Sequence, residues 1–141
     1  MKNQIFVIAI VFCFTLNTYA QSSDTVEITN TINSFAKAGD NNDVQELEKY
    51  LDGNYRIVMN RLFGSNEVNI MPRNIYLEKI KTKEYGGDNR RVNIDNITIN
   101  GNTACAKVVF NGTKLTFTSI IILIKNEEGL WKLVNETPIV G

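Results

Sequence analysis

Proton transfer, metal binding and nucleophilic attack draw on a short list of side chains, and this chain is poor in several of them. Its 141 residues contain no histidine and two cysteines, with 15 Asp plus Glu against 15 Lys plus Arg. Without imidazole, general acid–base work falls to other groups, carboxylates among them. A carboxylate serves only where burial or a neighbour raises its pKa toward neutrality. Asp52 and Asp95 are the acids considered for that task. Asp40-Asn41-Asn42-Asp43 opens like a calcium loop, yet the positions that need Gly and Glu hold Gln45 and Leu51. It reads as a turn between helices. These residues give no catalytic set, no metal ligands and no cofactor. The balanced charge argues against nucleic acid as a partner. Lys79, Lys81, Lys83, Arg90 and Arg91 form a modest basic region that a solvated helix face explains.

Binding is the chemistry left. Tyr55 and Met59 fall on one face of an expected strand, and either line a hollow or pack in the core. Trp131 is the only tryptophan; it is a core anchor between sheet and first helix, or an aromatic wall of a pocket. Strict alternation from Trp131 sends Leu133, Asn135 and Thr137 the same way. An inward Asn135 needs a partner and can orient a ligand. Tyr55, Met59, Trp131 and Asn135 are therefore the expected ligand contacts.

The elements that must position them begin after a leader. Lys2 precedes an apolar run from Ile5 to Leu16, and Thr18 and Ala20 are small. A run of about 12 residues suits a signal peptide and is short of a membrane span. Cleavage after Ala20 is expected, giving an exported protein, periplasmic or secreted, with no membrane segment after cleavage and a single domain over residues 21–141. The one cysteine kept, Cys105, reads as a small buried apolar residue.

Asp24 with Glu27 fits a capping box, and Ile28, Ile32, Phe35 and Ala36 make an apolar stripe, so residues 24–38 read as a helix stopped by Gly39. Asp43 caps a second helix carrying Val44, Leu47 and Leu51, ended by Gly53. Residues 55–60 are a strand, and residues 61–71 a loop or edge segment. Pro72 starts a third helix with Ile75, Tyr76 and Ile80 inward, stopped at Gly86-Gly87. Four antiparallel strands follow, with a phase change near Asp95-Asn96 that reads as a bulge. Asn100-Gly101 and Asn111-Gly112 mark hairpins. Ala104, Ala106, Val108 and Phe110 alternate cleanly, and Ile120 to Ile124 is apolar at every position, so both its faces are expected to be buried. The fold class is α+β: N-terminal helices packed on a strongly curved antiparallel sheet, forming a cone with a concave pocket.

Three stretches carry a family resemblance. They are ITNTINSFAKAGDNNDVQELEKYL from Ile28 to Leu51, PRNIYLEKI from Pro72 to Ile80, and EEGLWKLVNETP from Glu127 to Pro138. With them the chain resembles the nuclear transport factor 2-like superfamily, in its secreted bacterial lumazine-binding-like or SnoaL-like branch. The resemblance implies a cone-shaped α+β domain. The superfamily also includes ketosteroid isomerase, which uses an Asp base and an oxyanion hole of a Tyr and a protonated Asp. By register the basic Asp falls near Met59-Asn60, and the phenol near Ile32. Neither position keeps the needed group.

The expected function is an exported module that binds a small hydrophobic or mixed-polarity molecule without catalytic residues. Two alternatives stand beside it. One is a small isomerase or dehydratase using Asp52 or Asp95. The other is a homodimeric interaction protein pairing through the sheet face at Ile120–Ile124.

Overall fold

The computed structural model describes residues 23–139. The expected signal peptide and its cleavage site lie outside them. Helix α1 covers residues 23–40 of the described chain. Its stripe of Ile28, Ile32, Phe35 and Ala36 is fully buried, as the helical period requires. Asp24 does not close a capping box; it accepts from Lys125 Nζ at 2.7 Å and Trp131 Nε1 at 3.0 Å, tying the helix to the far end of the sheet. Gly39 stays inside the helix instead of stopping it. A Cβ there would lie 3.2 Å from Arg90 Nη2, so close approach is what calls for glycine. The turn comes at Asn42, in the left-handed region at φ 54°. Its amide donates to the carbonyls of Ile80 and Tyr85 at 2.9 and 2.7 Å.

Helix α2, Val44–Glu48, is capped by Asp43, whose carboxylate accepts from the Glu46 amide. It ends before Leu51, which was expected on its stripe. Leu51 instead opens strand β1, Leu51–Asn60, opposite Leu133, because a buried sheet position takes leucine as readily as a helix stripe does. A 3₁₀ turn, Leu62–Gly64, leads to edge strand β2, Val68–Pro72. Helix α3, Arg73–Lys81, follows Pro72 and buries Tyr76, Leu77 and Ile80. Ile75, expected inward, is exposed. The chain then passes Gly86 and Gly87 into β3 (Arg91–Asn100), β4 (Thr103–Asn111), β5 (Thr116–Lys125) and β6 (Trp131–Ile139).

The sheet is open and six-stranded, in the order β2-β1-β6-β5-β4-β3. Strands β3 to β6 form the antiparallel meander read from the sequence, and β1 pairs with β2 antiparallel. β1 joins β6 in parallel, so the sheet as a whole is mixed. The bulge expected at Asp95 is present as a register shift between Ile94 and Asn96. Ala104, Ala106, Val108 and Phe110 are buried against the helices. Cys105 is exposed on the opposite face, since alternation puts it there and no layer of the described residues covers that side. For the same reason Ile120, Ile122 and Ile124 are only half-buried, where full burial was expected.

A second register shift decides the site. Ile122 pairs with Asn135, but the next residue, Leu123, pairs with Leu133, so Val134 is an extra residue in β6. Strict alternation holds as far as Leu133. Beyond the bulge it is Glu136, opposite buried Ile121, that turns inward.

Candidate functional site

The helices and the concave face of the sheet enclose a hollow of about 290 Å³. Its deep wall is built from buried Phe35 of α1, Ile57 of β1, Tyr76 and Ile80 of α3, and Glu136 of β6. Its rim carries exposed Phe63, Lys114 and Leu115. Phe63 is 78% exposed and sits, with Arg61, in the left-handed region at φ 54° and 52°. A β1–β2 connection that holds two non-glycine residues there is strained, and it places an aromatic ring at the mouth.

Glu136 is the polar group at depth, 5% exposed. Tyr55 Oη donates to its Oε2 at 2.9 Å and Ser119 Oγ donates to its Oε1 at 2.7 Å. Three neighbouring strands, β1, β6 and β5, thus bring one group each to a single point. Tyr55, Tyr76 and Phe35 pack together, with ring centroids 5.4 to 6.4 Å apart. Burial first, and then the charge of Glu136, holds the Tyr55 phenol well above its ordinary pKa. Burial and the same charge raise Tyr76. Tyr55 therefore keeps its proton and acts as the donor.

An ion pair and a hydrogen-bonded carboxylate frame the hollow. Arg90 Nε lies 2.5 Å from Asp40 Oδ1, its backbone amide donates to Asp40 Oδ2 at 2.9 Å, and Nη2 donates to the Ala36 carbonyl at 3.0 Å. Asp88 accepts from the Thr113 hydroxyl and from the Asn89, Thr113 and Lys114 amides, fastening the β3 approach to the β4–β5 hairpin. These bonds, the Thr113 hydroxyl foremost, hold the Asp88 carboxyl below its usual range. No group of three or more Cys, Asp or Glu able to hold a metal ion occurs among the described residues. No helix among them is long and apolar enough to cross a membrane.

The expected contacts divide. Met59 lines the hollow. Tyr55 is buried behind its wall and reaches it through Glu136. Trp131 is 3% exposed and sits at the other end of the sheet against Asp24, away from the cavity lining. Asn135 faces the opposite side and donates to Thr137 Oγ1 at 3.1 Å, because the Val134 bulge reverses the alternation. Asp52 accepts from the Asn54 amide at the start of β1, and Asp95 pairs with Lys107. Neither lines the hollow, so the acids considered from sequence are not its acid. The carboxylates that line it are Glu136, buried, and Asp88. In sequence Glu136 lies in the polar run Asn135-Glu136-Thr137, where no apolar residue marks which side is in.

Helices α1 and α3 thus lie over one face of a bent sheet and border a mostly apolar hollow. Residues 23–137 match the family described as "Putative lumazine-binding", and the chain belongs to that family. Solved structures share the fold. An NTF2-like protein of unknown function from Shewanella baltica OS155 superposes with a TM-score of 0.74 at 17% identity, over 85% of this chain and 95% of that one. Another from Silicibacter pomeroyi DSS-3 gives 0.74 at 16%, over 86% and 98%. A protein from Shewanella frigidimarina NCIMB 400, described as a "putative ketosteroid isomerase", gives 0.60 at 18%, over 78% and 92%. No curated protein matches the sequence.

Proposed function

We propose that this is an exported binding domain that holds one small, mostly apolar molecule in its hollow, with the molecule's polar end against Glu136. The observation that carries this reading is a buried carboxylate, fixed by two hydroxyls, facing a mostly apolar cavity whose walls include Phe35, Ile57, Met59, Tyr76 and Ile80, with Asp88, Arg90 and Lys114 also on its lining. Apolar walls with few placed polar groups are what ligand sites share, and the volume is near the lower end of their range. Lumazine, the compound in the family's description, is a suitable first probe: it is a flat bicyclic dione with ring N–H donors. Titration followed by its own fluorescence is expected to saturate with the wild-type protein. Met59→Trp, which fills the hollow, is expected to abolish the signal while leaving the far-UV spectrum unchanged. Lack of saturable binding by lumazine and by the wider probes below would refute the reading.

The same carboxylate favours a second reading, a proton-abstracting isomerase. Glu136 would remove a proton beside a carbonyl and return it one carbon further on. The arrangement favours binding over this, because the Tyr55 and Ser119 hydroxyls are both spent on Glu136 itself and neither is placed to hold a developing enolate. Conversion of a β,γ-unsaturated ketone to its conjugated isomer, lost in Glu136→Gln, would establish the enzyme instead.

We place a second copy of the chain on the outer sheet face, where Ile120, Ile122 and Ile124 are half-buried. Self-pairing of one face gives a two-fold dimer. Sedimentation as a strict monomer at high concentration would remove that part of the reading.

A further inference from the structure

The charges around the hollow do not balance in place. Arg90 is matched by Asp40, 2.5 Å away and comparably buried. At the rim, Asp88 accepts from the Lys114 backbone amide, and the Lys114 ammonium, exposed to solvent, forms no ion pair among the described residues. Glu136 is buried and has no partner like that of Arg90. Among the described residues it takes part in no ion pair, since the seven formed all involve other carboxylates. Its two partners, Tyr55 and Ser119, are neutral hydroxyls. Each carboxylate oxygen accepts more than one hydrogen bond, so donor room remains on the side that faces the cavity.

We infer that the hollow selects a small organic cation, an amine whose ammonium group docks on Glu136 while its apolar body fills the aromatic-walled space. This rests on the ligand-binding reading above and names its ligand class. A carboxylate only 5% exposed is poorly solvated, and a counter-ion that joins it offsets that cost. A cationic ligand supplies that counter-ion, whereas a neutral donor supplies only a hydrogen bond. An anion meets like charge at depth. The walls fit the same ligand. Ring faces attract cations, and two rings at this end of the fold already carry one: Lys79 lies 5.2 Å from the Tyr85 centroid and Arg90 5.1 Å from that of Phe110. The rings of Phe35, Tyr76 and Phe117 also line the cavity, and among the described residues the cation–ring contacts fall on Tyr85, Phe110 and Trp131 instead. A cavity of about 290 Å³ admits one fused ring pair with a short arm.

Three probes of nearly one shape separate charge from fit: 1-naphthylmethylamine, 1-naphthalenemethanol and 1-naphthoic acid, each titrated calorimetrically at neutral pH. The amine is expected to bind the wild-type protein about tenfold or more tightly than the alcohol, with the acid weakest. Glu136→Gln keeps the side-chain shape and an acceptor oxygen. It is expected to bring the amine down to the level of the alcohol while the alcohol's affinity changes by less than about threefold. The wild-type ranking stands by itself should that variant fail to fold. Equal binding of amine and alcohol overturns cation selection and leaves the binding domain intact. Tightest binding by the acid, drawn by Lys114 and Arg90, overturns it as well. Failure of all three probes at millimolar concentration removes the inference together with the reading beneath it.

Discussion

Tyr55→Phe removes a single oxygen from the centre of the molecule and leaves every ring contact in place. The lost bond runs 2.9 Å from a phenol to Glu136 Oε2, with the two residues 1% and 5% exposed. A hydrogen bond to a charged group contributes about 1.5–3 kcal/mol, and stranding its buried acceptor adds to the loss. Two facts pull the figure to the lower half. Ser119 still donates to Oε1 at 2.7 Å, and Glu136 borders a cavity from which water can replace the phenol. The expected cost is therefore about 1.5–2 kcal/mol in urea unfolding near neutral pH. Trp131, the only tryptophan and 3% exposed, reports the transition by fluorescence. Glu136→Gln replaces the charged acceptor by a neutral amide. In that background Tyr55→Phe is expected to cost about 1 kcal/mol less, because the bond it breaks is no longer charge-assisted. A single-variant loss below about 0.5 kcal/mol, or strict additivity of the two substitutions, would refute the claim that Tyr55 holds Glu136.

Three further outcomes are expected. Trp131→Ala should lower unfolding stability by about 3–5 kcal/mol, and leave probe binding in the folded fraction intact, because the ring packs at the end of the sheet away from the hollow. Gly86→Ala should lower it by more than about 2 kcal/mol, since φ is 77° and the new Cβ would lie 2.2 Å from the Gly39 carbonyl oxygen; an unchanged urea midpoint would contradict that close approach. Asp24 and Asp88 both titrate below the ordinary value of 3.8, Asp24 chiefly through Lys125 and then the Trp131 indole, Asp88 chiefly through the Thr113 hydroxyl. The unfolded chain then binds more protons than the folded one just below that value, so the stability they give is complete above about pH 4 and is lost as pH falls through the folded pKa values. Urea midpoints from pH 5 to pH 2 should fall, and Asp88→Asn should flatten part of that fall while lowering the midpoint at pH 7.

Much of the scaffold was legible because its periods are written residue by residue. Ile28, Ile32, Phe35 and Ala36 cannot share a face except in a helix, and Ala104, Ala106, Val108 and Phe110 cannot except in a strand. Boundaries were less legible where one residue satisfies two patterns. Leu51 completes the stripe of Val44 and Leu47, yet it also fits the sheet opposite Leu133, and tertiary pairing decided. Gly39 carries the same ambiguity. A glycine after a helical run signals a stop when its φ is the reason for it; here φ is not positive and a Cβ would instead crowd Arg90 Nη2 at 3.2 Å, and sequence does not distinguish the two.

The site was hidden by a single inserted residue. With Val134 in the ladder, β6 alternates one way through Trp131 and Leu133 and the other way from Glu136. Had Val134 paired regularly, without the bulge, alternation would turn Asn135 and Thr137 inward and send Glu136 to the outer face, where a carboxylate stays in water. The bulge therefore moves a charge from solvent into an apolar hollow, against the usual direction of burial. Two donors on separate strands meet it there: Tyr55 from β1, two residues before the Ile57 that pairs with Glu136, and Ser119 from β5, two residues before the Ile121 that pairs with it. In a two-residue pleat those are diagonal same-face neighbours, next to the directly paired Ile57 and Ile121. A carboxylate turned inward by a bulge, met by a hydroxyl on each flanking strand and left without a cation, is poorly explained by stability alone, because an apolar residue at the same place would pack the hollow more favourably. What the arrangement gains is a fixed acceptor at the bottom of a space that an amine can enter.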